Sequence, residues 1–330
     1  MDAHVPTCEH AGEVRARLLI AAAVVGVALR LRTKRGRWPV GARPLRAALA
    51  ALLRSAPSVR AQAQKRFWSV VYDAANRGRT SPETAFMNYG YAPIDGATEG
   101  VSADPASDPD RFGLQLYAKV AGAVELSGKD VLEVGCGRGG GAVYVFDRLR
   151  PRSMTGIDLS TKAIARCQAE YQRPGLAFRA ADAEDLPFAD GSFDVLLNVE
   201  SSHCYPDVPR FLAEAHRVLR PGGVLLLADV RHTVVPEAAK DALMAQEDVA
   251  QLRDQIRASG FRTVEEEDIT PNVLRALQLD SAARRARVER RVARPLRRQA
   301  LEFAAVEGSA LFRAYAAGQL TYLRFVLQKL

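Results

Sequence analysis

"VLEVGCGRGGG", residues 131–141, is an apolar run that breaks into glycines. A buried strand that turns sharply and lets a ligand approach its backbone has this composition, because glycine reaches the needed backbone angles with no side chain in the way. Gly135, Gly137 and Gly140 satisfy the G-x-G-x-x-G spacing of a dinucleotide loop. A phosphate or an uncharged nucleoside fits the same loop, so the choice falls to the surrounding residues. Ala142 and Val143 stand where a triphosphate-binding loop carries Lys and Ser or Thr, which disfavours a triphosphate. Glu133, just ahead of the loop, would repel a pyrophosphate and favour a cationic ligand.

Outward from this loop, strand and helix patterns alternate. DVLEVGCG (130–137), SMTGIDLS (153–160), LAFRAAD (176–182), FDVLLNVE (193–200), PGGVLLLADV (221–230) and FRTVEEEDIT (261–270) read as strands. Between them GGAVYVFDRLR (140–150), TKAIARCQAEYQ (161–172), VPRFLAEAHRVLR (208–220) and VAQLRDQIRASG (249–260) read as helices, with Ser160 placed to cap the second. The fourth strand is nearly all apolar, as a strand buried on both faces is. Such alternation predicts an α/β fold, a mostly parallel, doubly wound sheet covered by helices on both sides. After Thr270 the alternation stops. Residues 271–318 read as an Arg-rich helical insertion forming part of a lid, and LTYLRFVLQKL (320–330) as the closing, seventh strand. Upstream, MNYGYAP (87–93) and a helix at 111–125 flank a Gly/Asp/Pro-rich loop.

The chain has 330 residues, 48% hydrophobic and 25% charged, enough for a full core, and a net charge of +8. That charge is uneven. Residues 13–66 hold thirteen Lys or Arg against one acid, and RRARVERRVARPLRR (284–298) is a second basic stretch. Each reads as a solvated helix face or as a contact for anionic lipid or nucleic acid. LLIAAAVVGVAL (18–29) is apolar between arginines, too short to span a bilayer comfortably and not followed by a signal cleavage site. Residues 1–62 are therefore expected to be a basic, partly apolar extension, with peripheral membrane contact as its functional reading. The four cysteines show no paired spacing, which points to a reducing, cytoplasmic compartment rather than a disulfide scaffold.

In open parallel sheets ligands sit at the carboxyl ends of the strands, near the switch in strand order. Asp158 and Asp182 end the second and third strands there. An acid after the second strand suits ribose hydroxyls and not a 2′-phosphate. Together EVGCGRGGG, GIDLS, DAEDLPFADGSFDV (182–195) and RVLRPGG (217–223), in this order and spacing, resemble the class I S-adenosyl-L-methionine-dependent methyltransferases. NVESSHCYPD (198–207) and MNYGYAP narrow the resemblance to lipid and polyketide O-methyltransferases of the phthiotriolone/phenolphthiotriolone dimycocerosate type. The resemblance implies a Rossmann-like domain over 63–330: a core at 127–270, a helical lid at 271–318 and a final strand at 320–330. It implies S-adenosyl-L-methionine as cofactor. Gly135, Cys136, Gly137 and Gly139 would give it their backbone, and Glu133 would lie near its ammonium group. Asp158 would take the ribose hydroxyls, Leu159 would pack on the adenine, Asp182 and Ala183 would flank the base, and Asn198 would complete the site.

Methyl transfer to a hydroxyl needs alignment, exclusion of water and removal of a proton. His203 follows the fourth strand and Asp229 ends the fifth. Neighbouring strands would bring the two together, with Asp229 holding the imidazole and His203 acting as general base. Glu200 is the rival base. Tyr89 and Tyr91 are candidates to cap the acceptor pocket. His216 falls within an amphipathic helix and reads as structural. No carboxylate cluster for a metal is expected, since Asp194 begins its strand at the opposite edge. The basic flanks do not by themselves make a nucleic-acid enzyme, and no N-P-P-Y tetrad for a flipped base is present. The expected function is O-methylation of an apolar, hydroxylated small molecule: a lipid, polyketide or glycolipid. A sugar hydroxyl, an amine, a sterol-like carbon, or cofactor binding without turnover are the alternatives.

Overall fold

The computed structural model describes residues 57–75, 85–94, 110–235 and 247–330. The apolar run at 18–29 and most of the first basic stretch lie outside them. The chain divides into two compact units. Of the first, Met1–Val70 with Pro236–Ala245, only residues 57–70 are described, and they belong to helix α1, Pro57–Ala75. The second, Val71–Val235 with Gln246–Leu330, holds the sheet.

In that unit helix α2, Arg111–Ala121, leads into β1, Asp130–Val134. The order continues with α3, Gly140–Leu149; β2, Ser153–Asp158; α4, Thr161–Glu170; β3, Leu176–Ala180; and β4, Phe193–Val199. A 3₁₀ turn, Ser202–Cys204, precedes α5, Val208–Val218; then come β5, Leu219–His232; α6, Val249–Ala258; and β6, Phe261–Asp268. The insertion forms α7, Thr270–Arg291; a 3₁₀ turn, Arg294–Leu296; α8, Arg297–Phe303; and α9, Ala310–Ala316, before β7, Leu320–Lys329.

The seven strands lie in the order β3-β2-β1-β4-β5-β7-β6. β7 is antiparallel to both of its neighbours, and the other pairings are parallel. The doubly wound, mostly parallel sheet expected from the alternation is the observed fold. The chain starts at β1, moves out to β3 and returns beside β1 at β4, so the switch in order falls between β1 and β4.

Period-2 alternation sorts the central strands between two cores. Val131, Leu197 and Leu226 join Leu116, Val145, Val273 and Leu277 on one face. Leu132, Leu196 and Leu225 join Phe211, Leu212, Leu252 and Ile256 on the other. Caps fix the helix starts. Ser160 Oγ accepts from Ala163 N–H at 3.2 Å, as its position in the sequence led one to expect, and Asp207 accepts from Arg210 N–H at 3.0 Å. β5 begins at Leu219, five residues ahead of the apolar run that starts at Val224, because Leu219 already pairs with Phe193 of β4.

Candidate active site

The loop after β1 turns at Gly135, φ +81°, and the N–H groups of Gly135 and Cys136 both donate to the Ile157 carbonyl, at 2.8 and 2.9 Å. A Cβ on Gly135 would stand 2.4 Å from Ser201 Cβ, so the loop packs directly on the turn after β4. Gly137, φ +53°, is different. A Cβ there would meet only Met87 Sδ, at 3.8 Å. Its N–H donates to Asp158 Oδ2 at 2.9 Å, which ties the loop to the end of β2. Gly139 is the N-cap of α3, and Cys136 is buried.

Glu133 is a carboxylate at the centre of the sheet with no exposed surface. Its Oε1 accepts from Tyr117 OH at 2.5 Å, and its Oε2 has no hydrogen-bond partner. Burial pushes Glu133 up to about 7, against the lowering effect of the Tyr117 hydrogen bond. A buried acceptor left without a donor is costly, and a ligand cation would satisfy it. Asp158 is partly buried; its Oδ1 accepts from Ser160 N–H at 2.8 Å. Leu159, next to it, is 40% exposed, an apolar surface at the ligand edge of the sheet. Asp182 accepts from Glu184 N–H at 3.0 Å, and Ala183 is buried. Asn198 lies beneath the loop: Nδ2 donates to the Val134 carbonyl at 3.0 Å and to the Ser201 and Tyr205 hydroxyls, while Oδ1 has no partner. The orphaned Glu133 Oε2, the open side of Gly137 and the bare face of Leu159 suit a ligand that is cationic at one end and aromatic at the other. S-adenosyl-L-methionine is such a ligand.

Asp229 does not end β5, which runs on three residues to His232 beside β7, but it lies level with the end of β4, and the turn after β4 brings His203 to it, with Nδ1 2.7 Å from Oδ1. Asp229 is 1% exposed and fully engaged. It also accepts from Ser202 Oγ at 2.5 Å, from the N–H groups of His203 and Val230 at 2.7 and 2.8 Å, and pairs with Arg231 at 3.1 Å. Burial alone would raise its pKa, but the His203 and Arg231 charges and these donors hold the carboxyl well below its ordinary range. Burial would push the imidazole down; the Cys204 sulfur and the Asp229 carboxylate outweigh that and raise His203 well above the ordinary histidine value.

Glu200 is the residue after β4, at φ +50°. A non-glycine residue in that region is strained and needs its surroundings to hold it. Here its N–H donates to the Ala228 carbonyl at 2.8 Å and its Oε1 accepts from Tyr89 N–H at 2.7 Å. Burial raises Glu200 to about 7, with the nearby Asp229 adding to the rise. Tyr89 is partly buried, with its ring edge-on to Tyr315 at 5.9 Å between centroids, whereas Tyr91 is 7% exposed and packs in the core. Arg284 of α7 donates to the carbonyls of Asn88 and Tyr89 at 3.2 and 2.9 Å, so the insertion holds the segment that reaches Glu200. His216 packs edge-on against Phe261, away from the dyad. Asp194 binds Asp130 N–H and Arg220 at the opposite edge of the sheet. Among the described residues no three His, Cys, Asp or Glu side chains gather as a metal site.

Ser202, Arg231, Tyr117 and Arg284 escaped the reading of the sequence. Arg231 did leave a signal: it stands two residues after Asp229 in an apolar strand, hence on the same face. Tyr117 and Arg284 left none, since their partners are distant in the chain.

The family described as methyltransferase domain matches residues 132–227. The phthiotriol/phenolphthiotriol dimycocerosates methyltransferase of Mycobacterium tuberculosis is 38% identical over 268 residues, covering 80% of this chain and 93% of that protein. The fatty-acid O-methyltransferase of Mycolicibacterium smegmatis is 44% identical over 170 residues, 52% of this chain and 60% of that protein. The solved geranyl diphosphate C-methyltransferase of Streptomyces coelicolor A3(2), in complex with S-adenosyl-L-homocysteine, covers 80% of this chain and 98% of its own. It does so with a TM-score of 0.60 at 16% identity, a likeness of fold.

Proposed function

The chain belongs to the methyltransferase family of the phthiotriol/phenolphthiotriol dimycocerosates methyltransferases, S-adenosylmethionine-dependent transferases with a class I fold, and on that premise we propose that it methylates a hydroxyl of a lipid-like acceptor, with His203 as general base. The observation that carries the proposal is the 2.7 Å contact between His203 Nδ1, in the turn after β4, and Asp229 Oδ1 on the adjacent strand β5. The lipid class of the acceptor is supported by the names of the two relatives, a phthiotriol/phenolphthiotriol dimycocerosates methyltransferase and a fatty-acid O-methyltransferase.

When bound, S-adenosyl-L-methionine supplies the electrophilic methyl group and its thioether leaving group. Glu133 Oε2 would hold its ammonium group, the backbone of Gly135, Cys136, Gly137 and Gly139 its methionine and ribose parts, and Asp158 the ribose hydroxyls. Leu159, Asp182 and Ala183 would border the adenine, and Asn198 keeps the loop seated by its bond to the Val134 carbonyl. Asp229 orients the imidazole by accepting from Nδ1–H, which leaves Nε2 as the basic nitrogen of the neutral ring. His203 Nε2 takes the acceptor hydroxyl proton as the oxygen becomes nucleophilic, and Asp229 stabilises the imidazolium that results. Glu200 fixes the Tyr89 backbone beside the dyad. Residues 63–330 form the catalytic domain in this reading, and residues 1–62 an extension that contacts the membrane surface. Among the described residues no helix is long and apolar enough to cross a membrane.

The test is transfer of labelled methyl from S-adenosyl-L-methionine into a lipid extract, with His203→Ala alongside. Label in the organic phase that is lost in the variant supports the proposal. Label confined to polar products overturns the lipid acceptor, and full turnover by the variant overturns the base.

A further inference from the structure

Two phenols near the dyad take no part in the proton transfer. Tyr315 of α9 is 2% exposed and Tyr322 of β7 has no exposed surface, and neither hydroxyl makes a well-formed hydrogen bond among the described residues. Buried tyrosine hydroxyls ordinarily find a partner, because leaving one unpaired is costly. Phenylalanine would fill the same space without that cost, so packing does not account for the hydroxyls. The two belong to one patch. Tyr322 lies opposite Val230 of β5 and shares a core face with Val230 and Ala228, and the Ala228 carbonyl accepts from Glu200 N–H. Tyr315 meets the Tyr89 ring edge-on at 5.9 Å between centroids, and Tyr89 N–H donates to Glu200 Oε1 at 2.7 Å. The two phenols therefore flank Glu200 from two elements. Burial raises both well above the ordinary tyrosine value. The Tyr89 and Glu200 charges add to the rise of Tyr315, and the Glu200 charge and a poorly formed hydrogen bond to it add to that of Tyr322. Each phenol thus keeps its proton near neutral pH and remains a donor.

We propose that Tyr315 and Tyr322, beside Glu200, form the polar end of the acceptor pocket, where they donate to a second oxygen of the acceptor. They would select an acceptor that carries another hydroxyl, carbonyl or ester oxygen near the hydroxyl to be methylated, an assignment that rests on the hydroxyl acceptor proposed above. Two donors match the two lone pairs of one such oxygen. An acceptor without it would leave both hydroxyls buried and unpaired, which is how a polar site rejects an apolar analogue. Tyr89 is the partly exposed member of the patch, and its ring would turn aside to admit the acceptor.

The test uses the full chain, labelled S-adenosyl-L-methionine and dilutions of a lipid extract, with Tyr315→Phe and Tyr322→Phe beside the parent. Each variant is expected to melt at or above the parent and to keep its cofactor affinity, because the lost hydroxyl served the acceptor and not the fold. Each should need about fivefold to tenfold more extract for half-maximal labelling, with a smaller change in maximal rate. A long-chain diol should compete with the extract about tenfold better than the mono-alcohol of the same length in the parent, and no better in the double variant. The proposal is overturned if both variants melt well below the parent, since the hydroxyls would then be bonded within the fold. It is equally overturned if half-saturation is unmoved in both, or if the parent meets diol and mono-alcohol alike. A parent that labels only polar products overturns the lipid reading alone, and the tyrosines are then judged by half-saturation with those products. A parent that labels nothing overturns the proposed function and this inference with it.

Discussion

Arg231 Nη1 lies 3.1 Å from Asp229 Oδ2, and each side chain is 1% exposed. The same guanidinium donates to Ser202 Oγ at 2.7 Å and to the Val230 carbonyl at 2.8 Å. Asp229 thus faces two cations, Arg231 and the His203 ring. The arginine compensates the carboxylate and so limits how strongly that carboxylate favours the imidazolium.

Removing Arg231 should act on stability and on proton transfer at once. Arg231→Met removes one of the two cations facing the buried Asp229 carboxylate and is expected to cost about 3–5 kcal/mol, read by chemical denaturation. The freed carboxylate stabilises the imidazolium, so the acid limb of kcat/KM should move to higher pH, and Arg231→Lys should restore part of both effects. A purely structural role would lower stability and leave that limb where it is.

His203 must be neutral to act as a base. Its pKa is raised, so turnover should be low in acid and rise with pH through a value above that of an ordinary histidine. His203→Gln is expected to lower kcat by about 10² to 10⁴ and to abolish this limb, with cofactor affinity held. A variant that keeps the limb would move the base to Glu200, which ionises near 7.

Glu133 attracts a cation only when ionised, and burial has moved that step to about 7. Affinity for S-adenosyl-L-methionine should therefore strengthen as pH rises through that value. The gain should end as the ligand's own α-amino group loses its proton, near pH 8. Calorimetric titration of Glu133→Gln should find weaker binding and no such rise. Equal affinity across pH in parent and variant would remove Glu133 from the ammonium site.

Gly141 tolerates no side chain. A Cβ there would fall 2.0 Å from the Tyr117 ring, whose hydroxyl holds Glu133. Gly141→Ala is expected to cost about 1–3 kcal/mol in thermal unfolding and to weaken cofactor binding through the displaced Tyr117. An unchanged melting temperature would mean that the ring moves freely.

Much of the cofactor side was legible in the primary structure because it is local. The glycine loop, Glu133, Asp158 and the Ser160 cap fall within a few residues of strand ends, and alternation fixes where those ends lie. The pairing of His203 with Asp229 also followed from chain order, since parallel strands β4 and β5 deliver their carboxyl ends to one edge. The second basic stretch was harder to read. Composition gives every arginine in 284–298 the same meaning, yet Arg284 and Arg287 serve the interior while Arg294 and Arg298 face solvent.

What the amino-acid order alone determined is the sheet, the loop and the class of chemistry, through hydrophobic period and the backbone freedom of glycine. Tertiary structure alone decided that Tyr117 would donate to Glu133, that Ser202 and Arg231 would saturate Asp229, and that Arg284 would hold the segment at Tyr89. Those contacts join residues whose separation along the chain carries no periodic signal. They arise because buried charges and acceptors must find partners, and only the packed fold determines which partners are within reach.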